Sequence, residues 1–252
     1  NFSFQSQSRL GGANQLFLKT NWYKITSYLP TGIITLIPFL YLVITTGNLD
    51  NFLSALNQSA STMAKSLSLA LAGSFFLALL AFFIGHAQER ISFLNSWLSR
   101  AIFFMPFAFP SILLAIGIIL FWNRPGLYHI YQSMLVVVLL WGAKYLALAQ
   151  RIMADHIQQI PVQIEEAASV CQISYLRTLT CIVWPLSRPG FLLTWAIIYI
   201  FCLSELGGTL LILPPGADSM PVKLYNIMHY GSNSLMAAQG LLILAMAIIP
   251  LI

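Results

Sequence analysis

Apolar runs of roughly membrane-crossing length alternate with short polar breaks along most of the chain. They predict spans at about Ile25 to Thr46, Ala64 to Gly85, Ala101 to Trp122, Met134 to Ala149, Phe191 to Leu213 and Leu235 to Ile252. A bilayer core of about 30 Å takes about 20 apolar residues to cross as a helix. Pro30, Pro38, Pro106 and Pro110 inside these runs are tolerable, because neighbouring helices re-satisfy freed backbone groups. Asn1 to Tyr23 reads as a polar lead, Gly47 to Ser61 as an outer loop, and His86 to Arg100 as a short loop. The largest polar island runs from Arg151 to Gly190. Within it Ile157, Ile160, Ile164, Ala168 and Cys171 form one stripe at helical period, with Asp155, Glu165 and Glu166 on the flank or back. Pro161 fits that amphipathic helix if it opens a new turn. A second short helix is expected from Tyr175 to Trp184, with Ser174 as N-cap and Leu176, Leu179 and Val183 as its apolar side. Pro185 and Pro189 are expected to end it.

Composition agrees with the pattern. Of 252 residues 58% are hydrophobic and 8% charged, and the mean hydropathy is +0.80. Soluble domains carry about 25% charge, so the chain is expected to be an all-α, multi-pass membrane protein with six transmembrane helices. Lys and Arg outnumber Asp and Glu by 12 to 7, a surplus that sets topology and points to no nucleic acid. Placing the island inside puts Arg9, Lys19, Lys24, Arg90, Arg100, Arg151, Arg177 and Arg188 with it. Lys65, Arg124 and Lys223 fall outside, and Lys144 lies within a span. That bias favours a cytoplasmic N-terminus and a cytoplasmic island. Cys171, Cys181 and Cys202 suit no metal spacing and read as free thiols. The first 20 or so residues lack an apolar core, so no signal peptide is expected.

The island also carries a resemblance. Glu166-Ala167-Ala168, followed by Ile182 and Pro185, is similar to the EAA loop of permease subunits of binding-protein-dependent ABC importers. The usual pattern has Gly four residues after the second Ala and Leu before the final Pro; here Gln172 and Trp184 stand instead. A left-handed turn at Gln172 would cost a non-Gly residue about 1 kcal/mol. The resemblance implies a type I importer-like permease domain over residues 24–252, with a coupling loop at 151–190 behind a polar lead or linker at 1–23. It implies a bacterial inner-membrane location and no catalysis by this chain, with ATP bound by a dimer of partner ATPase subunits. A second permease half and a periplasmic substrate-binding protein complete the expected assembly. Glu165, Glu166, Ala167, Ala168, Gln172, Tyr175 and Arg177 are its expected ATPase-coupling residues, with Arg177 a candidate partner for Glu165 or Glu166. The competing reading of the helix is one lying at the lipid interface, but three acids without Lys or Arg on its polar side suit anionic lipid poorly. The chain begins without Met and stops inside an apolar run, which suggests half of a double-length permease or a trimmed chain.

Glu205 and Lys144 are the ionisable groups deepest in apolar sequence. They either line a translocation path or form a buried structural pair. Pro214-Pro215-Gly216 and His229-Tyr230-Gly231 resemble the matching stretches of ferric-iron importer permeases. Oxygen donors from Glu205, Asp218, Tyr225 and Tyr230 would suit a hard cation, while a structural turn and interfacial aromatic anchors explain the same residues. The resemblance implies ferric iron as the expected cargo, with polyamine, thiamine or phosphonate as alternatives. No phosphate loop ending in Gly-Lys-Ser/Thr is present, and no His-Glu-x-x-His or Gly-x-Ser-x-Gly. Gly73-Ser74 in a span suggests an intramembrane serine protease only in the company of a placed His, and helix packing is the simpler reading. An ATPase-independent secondary transporter or channel is the rival class, and it calls for more intramembrane charge than this chain has.

Overall fold

The structure is a computed structural model and describes residues 28–91 and 97–251. The lead at 1–23, the first residues of the first predicted span and part of the loop before Trp97 lie outside the described residues. Every regular element among the described residues is helical. In order they are α1 (Tyr28–Thr46), α2 (Leu49–Arg90), α3 (Trp97–Ala108), α4 (Ser111–Trp122), α5 (Tyr128–Tyr131), α6 (Leu135–Ile157) and α7 (Val162–Val170). Then follow α8 (Tyr175–Ser204), α9 (Gly207–Ile212), α10 (Met220–Tyr230) and α11 (Asn233–Ile248).

α1, α2, α6 and α8 are long and apolar enough to cross a membrane, and α3 with α4 makes a fifth span if the bent pair counts as one. The expected sixth is only the 16-residue α11, so the count of six full spans does not hold. The core lies where α2, α6 and α8 meet, filled by Leu77 and Phe82, by Leu140 and Met153, and by Ile198 and Tyr199. Without a hydrophobic drive between helices in lipid, close backbone approach and interhelical hydrogen bonds hold such a bundle. Both occur. A Cβ on Gly85 would sit 3.1 Å from the Ala154 backbone nitrogen. The Trp195 indole donates to Leu71 O at 3.2 Å, and the Tyr199 hydroxyl to Met246 O at 2.8 Å.

Five predicted boundaries move. The expected outer loop Gly47–Ser61 is helical from Leu49 and the expected loop His86–Arg100 is helical to Arg90, so α2 runs 42 residues, about 63 Å at about 1.5 Å per residue. Its polar residues mark helix beyond the hydrocarbon, and Gly47, at φ 72, makes the turn between α1 and α2. The predicted third span is bent by 91° between α3 and α4, because Pro110 has no N–H to continue the ladder and disfavours helix at Phe109. The predicted fifth span stops at Ser204, and Glu205 is extended before α9 resumes. The second short helix does not stop at Pro185 or Pro189. It passes through a π turn at Leu179–Val183 straight into the span. The N–H that Pro185 lacks falls where the ladder changes register from π to α, and Pro189 costs one interior bond within a packed helix.

Candidate functional site

The island folds as an elbow between α6 and α8. α6 continues through Arg151 to Ile157, and Ile160 is buried beneath the turn that follows. Pro161 caps α7 in an extended conformation, so the stripe expected as one helix is two helices meeting at that proline. α7 ends in a closed turn: Ile173 N donates to Ala168 O at 3.0 Å, and Gln172 N donates to Ser169 O at 2.9 Å. That pair of bonds needs a left-handed residue just past the cap. Gln172 fills it at φ 58, the sole non-Gly positive φ among the described residues. Ser174 is the N-cap of α8 as expected, although its side chain makes no capping bond.

Along α7 the small pair divides, Ala168 buried and Ala167 exposed. Glu166 points outward, with Val170 and Leu176 exposed beside it on the elbow. Ile164 and Cys171, expected in the buried stripe, are exposed. Glu165 turns the other way. Its carboxylate takes Arg90 at 2.6 Å and His86 Nε2 at 3.0 Å, both from the end of α2. The expected pairing of Arg177 with Glu165 or Glu166 is not made; among the described residues Arg177 forms no ion pair, and Asp155 pairs with Arg151 at 3.0 Å. Sequence reasoning missed His86 and Arg90. They fell in the loop expected at His86 to Arg100, whereas α2 stays helical to Arg90, and nothing in sequence brings Arg90 to a residue 75 positions on.

Glu205 and Lys144 do meet, with Nζ and Oε2 3.1 Å apart. The Tyr145 hydroxyl donates to the same oxygen, Gly208 N donates to Oε1 at 3.0 Å, and the Ser111 hydroxyl joins them. The carboxylate is 5% exposed. The pairing named as one of the two readings is made. It closes the break between α8 and α9, with the carboxylate capping α9 and holding α4 and α6 to it.

The remaining path candidates do not converge. Tyr230 is 92% exposed, while the Tyr225 ring packs 4.4 Å from that of His229 on its own helix. Asp218 borders a cavity of about 640 Å³ between α2 and the Pro214–Gly216 turn, together with Lys65, Ser68 and Gln132. No group of three His, Cys, Asp or Glu side chains able to hold a metal occurs among the described residues. Of the four oxygen donors named for a hard cation, Glu205 and Asp218 border one small cavity, and Tyr225 and Tyr230 are not among its lining.

Known proteins resemble this arrangement. The structure of a bacterial alginate ABC transporter, in complex with an alginate pentasaccharide-bound periplasmic protein, superposes with a TM-score of 0.68 at 20% identity. That match covers 92% of this chain and 94% of the other. A permease named for 2-aminoethylphosphonate transport, PhnV of Salmonella typhimurium, is 24% identical over 203 residues, 80% of this chain and 76% of its own. The trehalose/maltose transport system permease MalG of Thermococcus litoralis is 28% identical over 120 residues, 48% of this chain and 42% of its own. These relatives are named for phosphonate and sugar, and they lend the ferric-iron expectation no support. Residues 77–252 match the family described as the inner membrane component of binding-protein-dependent transport systems, and the chain belongs to that family.

Proposed function

We propose that this chain is one permease half of an ATP-driven importer, and that the α7–α8 elbow is its seat for an ATPase subunit. The observation that carries the reading is the outward face of the elbow. An unpaired Glu166, at the turn closed by Gln172, is flanked by Val170 at 82% and Leu176 at 72% exposure. A helix resting on anionic lipid needs Lys or Arg among its apolar residues, and α7 has neither. An acid set among small and apolar groups on a bound, structured turn suits a protein groove with a basic rim. The Lys and Arg bias places that face, and the N-terminus, in the cytosol. A second permease half, a second ATPase subunit and a periplasmic binding protein complete the assembly, and the binding protein delivers the cargo.

The test is reconstitution with the ATPase subunits and binding protein, and the variant Glu166→Lys. Charge reversal at a docking contact costs about 2–5 kcal/mol, so cargo-stimulated ATP hydrolysis should fall at least about tenfold while the variant stays monodisperse. Full stimulation in Glu166→Lys would overturn the docking assignment. Uptake of ferric iron, 2-aminoethylphosphonate and maltose by the same vesicles separates the cargoes. The iron reading rests on the Pro-Pro-Gly and His-Tyr-Gly stretches and fails if labelled iron stays outside.

A further inference from the structure

α2 meets both halves of the elbow at one point. Its last turns carry His86 and Arg90, one helical turn apart and on one face. Arg90 Nε donates to Glu165 Oε1 at 2.8 Å, and a guanidinium nitrogen of the same residue donates to Ile160 O at 3.2 Å. His86 Nε2 lies 3.0 Å from the other carboxylate oxygen, and its Nδ1 lies 3.2 Å from the Tyr175 hydroxyl. A neutral ring with hydrogen on Nε2 satisfies both contacts, donating to Glu165 and accepting from Tyr175. Arg90 therefore holds the carboxylate and the carbonyl just before Pro161, while His86 holds α7 and the first residue of α8. The cluster is shielded: His86 is 2% exposed, and Arg90 and Glu165 are 15% each.

We propose that His86, Arg90, Glu165 and Tyr175 form an intrachain clamp that passes displacement of the coupling elbow directly into α2, making Glu165 and Arg90 positioning residues for ATP-coupled transport. The covalent routes out of the elbow run only into α6 and α8. The clamp adds a third helix, α2, which carries polar seats for α10 and α11 toward its other end. There the Ser66 hydroxyl accepts from Met220 N at 2.9 Å, Gln58 O accepts from Lys223, and Ala55 O accepts from Gln239 at 3.4 Å. α2 is one continuous helix from Leu49 to Arg90 with no Pro to break its ladder. A shift of the elbow would thus move the seats of α10 and α11 together, through a charge-assisted contact in which Arg90 holds Glu165 Oε1 and Ile160 O while His86 holds Glu165 Oε2. A network with discrete arrangements can carry such coupling between distant sites.

This inference rests on the elbow being the ATPase seat, and the experiment keeps the two apart. In reconstituted vesicles with ATPase and binding protein, cargo imported per ATP hydrolysed is measured for Glu165→Gln, Arg90→Gln, their double variant, Glu165→Asp and Tyr175→Phe. Thermal stability and ATPase co-purification are measured beside it. The ratio should fall about fivefold to tenfold in each Gln single, the size of a typical coupling term. The double should be no worse than the singles, since both break one contact. Glu165→Asp should recover part of the ratio, and Tyr175→Phe should lower it about twofold. ATPase should co-purify with these variants and be lost from Glu166→Lys; if it is retained there too, the docking assignment fails and not the clamp. A drop in melting temperature with an unchanged ratio in all variants would overturn the clamp. If both Gln singles fail to assemble, Tyr175→Phe decides, because it removes one hydroxyl from a ring that is 63% exposed. An unchanged ratio in that variant then overturns the proposal.

Discussion

Removing the Glu205 carboxylate should be among the costliest single changes in the chain. In Glu205→Ala four donors lose their acceptor together: the Lys144 ammonium, the Tyr145 and Ser111 hydroxyls and the Gly208 N–H. Breaking a buried ion pair from one side costs about 3–5 kcal/mol, because the other charge stays behind unpaired. Lys144 is 20% exposed, so water relieves part of that, and about 3 kcal/mol is the working figure. Lys144→Met should cost less, about 2 kcal/mol, since the carboxylate keeps its hydroxyl and amide donors. In Glu205→Met with Lys144→Met no charge remains, and paired replacement by apolar residues is often close to neutral. The double variant should therefore be more stable than Glu205→Met alone, and the cycle built from Glu205→Met, Lys144→Met and their double should show a coupling above about 1.5 kcal/mol. Thermal unfolding in lipid nanodiscs, followed by tryptophan fluorescence, gives the readout. At about 2–4 °C per kcal/mol for a chain of this size, Glu205→Ala should lower Tm by about 6–12 °C. Additive single effects, or a shift under about 2 °C for Glu205→Ala, would refute the reasoning. Uptake by the double variant tells whether charge at this place also serves transport.

Position 172 should rank its occupants by tolerance of positive φ. Gln172→Gly relieves about 1 kcal/mol of left-handed strain and Gln172→Val adds more, so Tm should fall in the order Gly, Gln, Val, and the reverse order would mean the turn is built otherwise. At Gly190 a Cβ would lie 2.3 Å from the His156 ring. Gly190→Ala should thus cost about 1–3 kcal/mol by overpacking, and adding His156→Ala should recover most of it in the same unfolding assay. A full-sized loss in the double variant would place the clash elsewhere.

How much of this was legible in the sequence divides along physical lines. Helical membrane character followed from apolar runs and scarce charge, and the helix opening at Tyr175 from Ser174 and its apolar side, whereas the stripe read as one helix breaks at Pro161. The left-handed turn at Gln172 followed from the place where the resembling pattern carries Gly, and its φ of 58 agrees. What failed was local punctuation. Pro185 and Pro189 read as stops, but a π turn and tertiary packing carried the helix past them. The polar stretch after Gly47 read as a loop, because helix outside hydrocarbon shows no apolar run. Partners failed for another reason. Arg177 is close to Glu165 in sequence, yet Arg90 and His86 win it, since the direction of α7 is set by burial of Ala168 and not by nearest charges. Lys144 and Glu205 were named as a pair because charge in lipid must find its opposite, while Tyr145 and Gly208 carried no signal of their own.

The breaks after Ala108 and after Ser204 stand side by side, for a Cβ on Gly208 would meet the Ser111 backbone oxygen at 2.9 Å. Each break frees amides that acyl chains, with neither donor nor acceptor, could not answer, and an amide stranded in oil costs several kcal/mol. The polypeptide answers them itself: Pro110 O takes Leu113 N and Leu114 N, and the Glu205 carboxylate takes Gly208 N. Two interrupted helices thus shelter each other, and one acidic side chain is the mortar between them.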